Sequence, residues 1–217
     1  MSSTLQAPAQ PNQWYLPRMR ARAALLALAF VAPAAAIVSP QTSSLGPPPA
    51  EAAVSLLVTL DELVLNSAYV VVGTAAEHHS AWEETSSGRR IVTYTRIDVE
   101  RTIAGDPGSS IWVRTLGGTV ENIGQYVSGE AQLTPGSRSM LFLHKEGPLV
   151  VVSEMAQGHF PVVTDDKGVT RLGPSPDAGS LLPRRGPSIS AREVLVGATL
   201  ERGIGAVQEA RRSHEKR

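Results

Sequence analysis

The chain has 217 residues, no cysteine, and 20 basic against 20 acidic side chains. Its apolar content of 42% suits a folded core, and its length suits one domain with tails. Disulfide scaffolds, thiolate metal sites and cysteine nucleophiles are excluded, and a zero net charge argues against general nucleic-acid binding, which needs a basic face.

Residues 1–36 read as a secretory signal peptide. They hold no acidic residue. Arg18, Arg20 and Arg22 precede the uncharged run AALLALAFVAPAAA, which ends in the small residues Ala34, Ala35 and Ala36. An uncleaved anchor is the alternative, although fourteen residues interrupted by Pro33 are short for a bilayer crossing. Met19 is an alternative start. Cleavage near Ala36 leaves 17 basic against 20 acidic groups and a mildly acidic chain. The expected location is the periplasm or the medium, with no membrane span after cleavage.

Residues 37–53, with Pro47, Pro48 and Pro49 in a row, read as a flexible or extended spacer. A β-rich body is expected over 54–172. Thr59 and Glu62 form a capping-box pattern that opens a short helix carrying Leu60, Leu63 and Val64. Tyr69–Val72 predicts a short buried strand, and the polar stretch His78–Gly88 predicts a loop. From Arg90 to Arg101, Ile91, Thr93, Thr95, Ile97 and Val99 alternate with Val92, Tyr94, Arg96, Asp98 and Glu100, so a strand with one wetter face is expected. Ile111–Leu116 predicts another strand, closed by Gly117 and Gly118, and Val120–Val127 a weaker one. Met140–Leu143 with Leu149–Val152, and Phe160–Thr164 with Val169–Leu172, predict two hairpins. The pattern is mainly β: a small OB-like barrel or sandwich of about seven strands, with a short N-terminal helix and a C-terminal helix.

Residues 173–189 return to Pro, Gly and Ser and read as a second linker. Ser190 and Glu193 cap a helix expected over 190–207, with Val196, Leu200, Gly203, Ile204 and Val207 on one face. Residues 208–217 read as a charged, disordered tail.

No phosphate loop, dinucleotide fingerprint, zinc-protease helix or nucleophile elbow is present, so no cofactor, metal or catalytic residue is assigned. His78, His79 and Glu83 have metal-like spacing, but they read better as a solvated loop. His144 and His159 lie on different strands and read as structural or surface histidines. Asp165 and Asp166, ahead of Lys167–Gly168, read as turn chemistry. Gly117–Gly118 fits either a sharp strand bend or a backbone that a ligand approaches, and the bend is preferred. Four residues are the binding candidates: Trp82 as an exposed loop aromatic, and Gln157, His159 and Phe160 as a groove. Phe160 reads alternatively as a core aromatic.

The order YVVVGTA, a Trp-bearing loop, RIVTYTRIDVERTIAG, IWVRTLGG, GEAQLTPGSRSMLFL and AQGHFPV resembles a group of secreted bacterial proteins of unknown function. The resemblance spans about residues 58–172. A more distant likeness is to the OB-fold barrels of netrin-like and metalloproteinase-inhibitor domains. Those rely on disulfides, and the inhibitors on an N-terminal cysteine, neither of which this chain has.

The expected function is therefore a non-enzymatic exported module binding a protein or cell-envelope component. The alternatives are a secreted hydrolase or metal-dependent enzyme, with a dispersed site supplied by His78, His79, Glu83, His144, His159 and Asp165, and a protease inhibitor by analogy with the netrin-like barrel.

Overall fold

Valines 70, 71 and 72 set the architecture, because successive residues of a strand face opposite ways and all three are fully buried. The strand carrying them needs an apolar layer on both faces. The computed structural model describes residues 54–216 apart from Ser87 and Pro187. The expected signal peptide and spacer, residues 1–53, lie outside them.

In chain order the elements are β1 (Val54–Leu56), α1 (Leu60–Leu65), β2 (Tyr69–Thr85), β3 (Gly88–Ala104), β4 (Ser110–Leu116), β5 (Gly118–Val120) and β6 (Ile123–Gln125). Then come β7 (Arg138–Glu146), β8 (Leu149–Val152), a 3-10 turn at Met155–Gly158, β9 (His159–Thr164), β10 (Thr170–Leu172), β11 (Ser180–Leu182), α2 (Ala191–Leu195) and α3 (Leu200–Glu215). The fold is mainly β. A seven-stranded sheet runs β10-β9-β7-β2-β3-β4-β8, and β8 also pairs with β7. The path β7–β2–β3–β4–β8 thus returns to β7, and its β4–β8 link is parallel, through Arg114 and Val151. This arrangement fits a small barrel or sandwich.

One core cluster packs α1, α2 and α3 against the sheet. Leu63, Leu195, Ile204 and Val207 meet Val70, Val72, Met140, Phe142, Phe160 and Leu172. The other holds Val71, Ala75, Ile97, Val113, Leu141, Leu143 and Val152. Alternate residues of β2 and β7 therefore feed different layers. Full burial of such a side chain contributes about 1.5–3 kcal/mol, so the two layers are the main favourable term.

Both capping boxes form. Thr59 and Ser190 each accept from the backbone N–H three residues on, and Glu62 and Glu193 each accept from the cap's N–H. The predicted hairpins β7–β8 and β9–β10 are present and antiparallel. Asp165 holds the second turn, accepting from the N–H groups of Lys167 and Val169 and from the Arg171 guanidinium. Those donors, Arg171 foremost, keep its carboxyl below the usual range.

Four expectations need correction. His78–Gly88 is not a loop, because β2 and β3 form one hairpin of 17-residue strands. Its outer part is wet on both faces, so no apolar alternation marks it. It is instead laced by cross-strand pairs, Glu77–Arg96, Glu83–Arg90 and Glu84–Arg89. Residues 173–189 are not a mere linker, because β11 within them pairs in parallel with β1. The helix expected over 190–207 is two helices. Gly197, at φ +80°, takes a conformation that turns the chain after α2. Finally, 208–215 is not a disordered tail but the end of α3. Ala210 extends the buried stripe, while Arg211–Glu215 and Glu209–Arg212 pair along its wet side.

Candidate functional site

Three of the four sequence candidates meet at one small cavity, and Trp82 lies apart from them. Trp82 stands on β2 opposite Ile91, near the turn of the long hairpin. It is 36% exposed, and the Arg89 guanidinium lies over its ring at 4.6 Å. Exposure as expected thus comes on a strand rather than a loop.

Gln157, His159 and Phe160 line a cavity of only about 20 Å³ that does not include Trp82. Phe160 is buried and meets Phe142 edge-on at 5.8 Å between ring centres, so it is a core residue and not a groove anchor. His159 is buried between two hydroxyls, with Nε2 3.0 Å from Ser139 Oγ and Nδ1 3.2 Å from Ser175 Oγ. Burial pushes its pKa down to about 4, so the ring is neutral. Gln157 is a clamp. Its Oε1 accepts from the Val58 N–H and its Nε2 donates to the Leu56 carbonyl. Gln157→Ala is expected to lower stability by about 1–2 kcal/mol, since the two bonds tie the end of β1 and Val58 after it to the 3-10 turn. Equilibrium urea unfolding measures this, and an unchanged midpoint would remove the clamp.

The metal-like trio is also separated. His78 and His79 face opposite ways, and Glu83 is taken up by Arg90 and Arg114. The hydrogen bond from Arg114 is the largest cause of its lowered pKa. Among the described residues no group of three potential ligands comes together. His144 pairs across strands with Val151 and does not join the His159 hydroxyl pair.

The structure brings together a different set. A cleft of about 500 Å³ opens on the hairpin face that carries Ser80, Thr93 and Thr115. Strands β5 and β6 add Gly118, Thr119 and Gln125, and the segment after them adds Tyr126, Glu130, Gln132 and Thr134. No lining residue is Lys or Arg. Its size falls within the range of small-ligand sites, roughly 300–1,000 Å³.

The wall is built by close backbone approach. Gly117 and Gly118 have φ of +89° and +129°. A Cβ on Gly118 would lie 2.2 Å from Thr93 Oγ1 and 2.5 Å from Ser80 Oγ. The bend and the approach are therefore one feature: only glycine lets β5 lie down on the hairpin. Ser80 and Thr93 share a hydrogen bond of 2.8 Å, Thr93 donates to the Gly117 carbonyl, and the Ile91 N–H donates to Gln125 Oε1. These hydroxyls are fixed by one another and by backbone, whereas a nucleophilic hydroxyl needs a base in contact.

Glu130 is the perturbed group. It is a buried carboxyl in the cleft wall, pushed up to about 7 by desolvation against the opposing pull of the Leu116 N–H and the Arg114 charge. Arg114 is itself buried. It donates from Nη2 to Glu83, and its Nε is without a partner among the described residues. On the opposite hairpin face, His79 stacks on Tyr94 and meets Trp112 edge-on, each at 5.4 Å.

Glu130, Tyr126 and the hydroxyl set escape sequence reading because they meet only through register. Gly117–Gly118 and His78 are the residues singled out in the sequence that fall at this place. No protein-family model matches the chain, and no curated protein matches it.

Proposed function

We propose that this chain is an exported, non-enzymatic module, an OB-like barrel that binds an extracytoplasmic protein or a cell-envelope component in the cleft beside Gly117–Gly118. The cleft itself carries the reading. It is large, and its Ser80 and Thr93 hydroxyls are fixed as hydrogen-bonding partners rather than activated. The strand path β2–β3–β4–β8–β7 and back, with a parallel β4–β8 link, supports the OB-like order. The leader-like residues 1–36 support export. The lack of lysine or arginine in the cleft lining, with zero net charge, counts against a nucleic-acid strand as the occupant.

Glu130 favours a second reading, a secreted hydrolase. A buried carboxyl poised near neutrality in a cleft is a general-acid signature. One experiment separates the two. A photo-cross-linking residue at Thr134, on the cleft lining, is compared with one at Leu65, exposed on α1. Binding in the cleft predicts capture from the native envelope at Thr134 alone, abolished by Thr119→Trp, which fills the cleft. Equal capture at both positions defeats the cleft assignment. A turnover lost in Glu130→Gln replaces the binding reading with the enzymatic one.

A further inference from the structure

We propose that the occupant of this cleft is a neutral saccharide, held against the Tyr126 ring by the amides and hydroxyls around it. This rests on the cleft being the binding site. It goes further in naming the ligand chemistry.

The polar groups on the lining, set among Leu116, Val127, Ala131 and Leu133, come first. Thr119, Gln132 and Thr134 are exposed side chains on the cleft, and Glu130 adds a buried carboxyl. Threonine offers one donor and two lone pairs, and glutamine two donors and a carbonyl. A largely apolar ligand would leave those groups dry and unpaired, a loss of about 5- to 150-fold in affinity for each. The ligand that avoids this loss is itself dense in groups that both donate and accept. Hydroxyls on adjacent ring carbons have that property.

Charge narrows the choice. His78 and Glu130 are the only imidazole and the only carboxyl on the lining. No guanidinium or ammonium lines the wall to hold a phosphate or carboxylate, so the ligand is neutral over most of its length. Size narrows it again. A protein partner ordinarily buries about 800 Å² of each surface, whereas a concave space of about 500 Å³ takes a short oligomer of sugar rings.

Tyr126 supplies the remaining element. It lines the cleft and is 69% exposed, the most exposed aromatic ring among the described residues. A phenol offers a flat apolar face with a polar tip. The carbon-bound hydrogens of a sugar ring lie on such a face while its hydroxyls point outward to the amides. By contrast, His79 on the other face stacks on Tyr94 and meets Trp112 edge-on, and none of the three lines this cleft.

The test uses the full chain on an array of neutral and acidic oligosaccharides, followed by titration calorimetry with the best neutral binder. The expected result is binding of a neutral oligosaccharide, weakened at least about 10-fold by Tyr126→Ala and retained by Tyr126→Phe. Gln132→Ala is expected to weaken it about 5-fold. Both changes are at exposed positions, and circular dichroism confirms that each variant keeps its fold. Saccharide binding that is indifferent to Tyr126→Ala overturns the proposal. So does the absence of array binding together with protein capture at Thr134 that Thr119→Trp blocks, an outcome that leaves the cleft reading standing. Neither saccharide nor cleft-dependent capture overturns both.

Discussion

Gly118→Val is expected to cost roughly 3–5 kcal/mol, a large share of a domain's stability. Two terms add. The residue sits at φ +129°, which a β-branched side chain reaches only under strain of about 1–3 kcal/mol. Its Cβ would also enter the space of Thr93 Oγ1, at 2.2 Å, and of Ser80 Oγ, at 2.5 Å. Neither hydroxyl can swing away freely, because each bonds the other and Thr93 also holds the Gly117 carbonyl. Overpacking of this kind adds about 1–3 kcal/mol. Typical domains have only about 5–15 kcal/mol in total. Gly88→Val is the matched control. It has φ +120° but nothing within 4 Å of the added Cβ, so only the backbone term applies. Urea midpoints of the two variants separate strain from clash. Equal midpoints would mean that the hairpin yields and that glycine is not needed for contact.

The parts of this fold that were legible share a property: their signal is local. Thr59 and Glu62, or Ser190 and Glu193, are three residues apart, and a capping box needs nothing further. The β9–β10 turn rests on Asp165 bonding its own neighbours. The alternation in β3 survives because Ile91, Thr95 and Ile97 are buried while Asp98 and Glu100 are wet. What was illegible depends on register. Glu83 and Arg90, or Glu77 and Arg96, are complementary only once the antiparallel pairing is known. The same stretch, read alone, is polar and loop-like. β11 lies in a Pro- and Gly-rich segment and is held by β1, over a hundred residues earlier. All five acidic or basic residues between 209 and 215 belong to a helix whose buried stripe, after Val207, adds only Ala210. A single alanine is too weak a mark of amphipathicity.

The site divides the same way. Gly117–Gly118 stood out because two adjacent glycines are a local oddity, and the structure shows the bend expected of them together with the close packing of β5 on the hairpin. Phe160 and His159 stood out for their chemistry, yet both are consumed by packing and by hydroxyl partners. Glu130 has no local mark at all. Its burial is a consequence of where β4 and the segment after β6 meet.

Glu130 and His159 give the second large prediction. The two buried groups are displaced in opposite directions, and their effects on stability oppose. Glu130 titrates at about 7 in the folded chain against an ordinary 4.5. The folded state keeps a proton that the unfolded state releases, so this contribution is present below pH 4.5 and is lost as the pH rises to about 7. His159 titrates at about 4 against an ordinary 6.5. Here the unfolded state takes the proton first, so the contribution is present above pH 6.5 and is lost as the pH falls toward 4. Each displacement corresponds to roughly 3 kcal/mol, and the windows overlap between pH 4.5 and 6.5. The parent protein should therefore show a flat profile there from these two groups. Glu130→Gln should expose a stability that climbs up to pH 6.5 and then stays level, and at pH 8 it should exceed the parent by up to roughly 3 kcal/mol. His159→Asn should expose the opposite slope, falling from pH 4.5 to 7. Urea unfolding of the three proteins across pH 4–8 checks this, and parallel curves would mean that neither group holds the assigned state. The same proton bears on the cleft. Near pH 7 the Glu130 carboxyl is about half protonated, and only its protonated form donates. A ligand hydroxyl that accepts from it should therefore bind more weakly as the pH rises through 7, a dependence that Glu130→Gln removes.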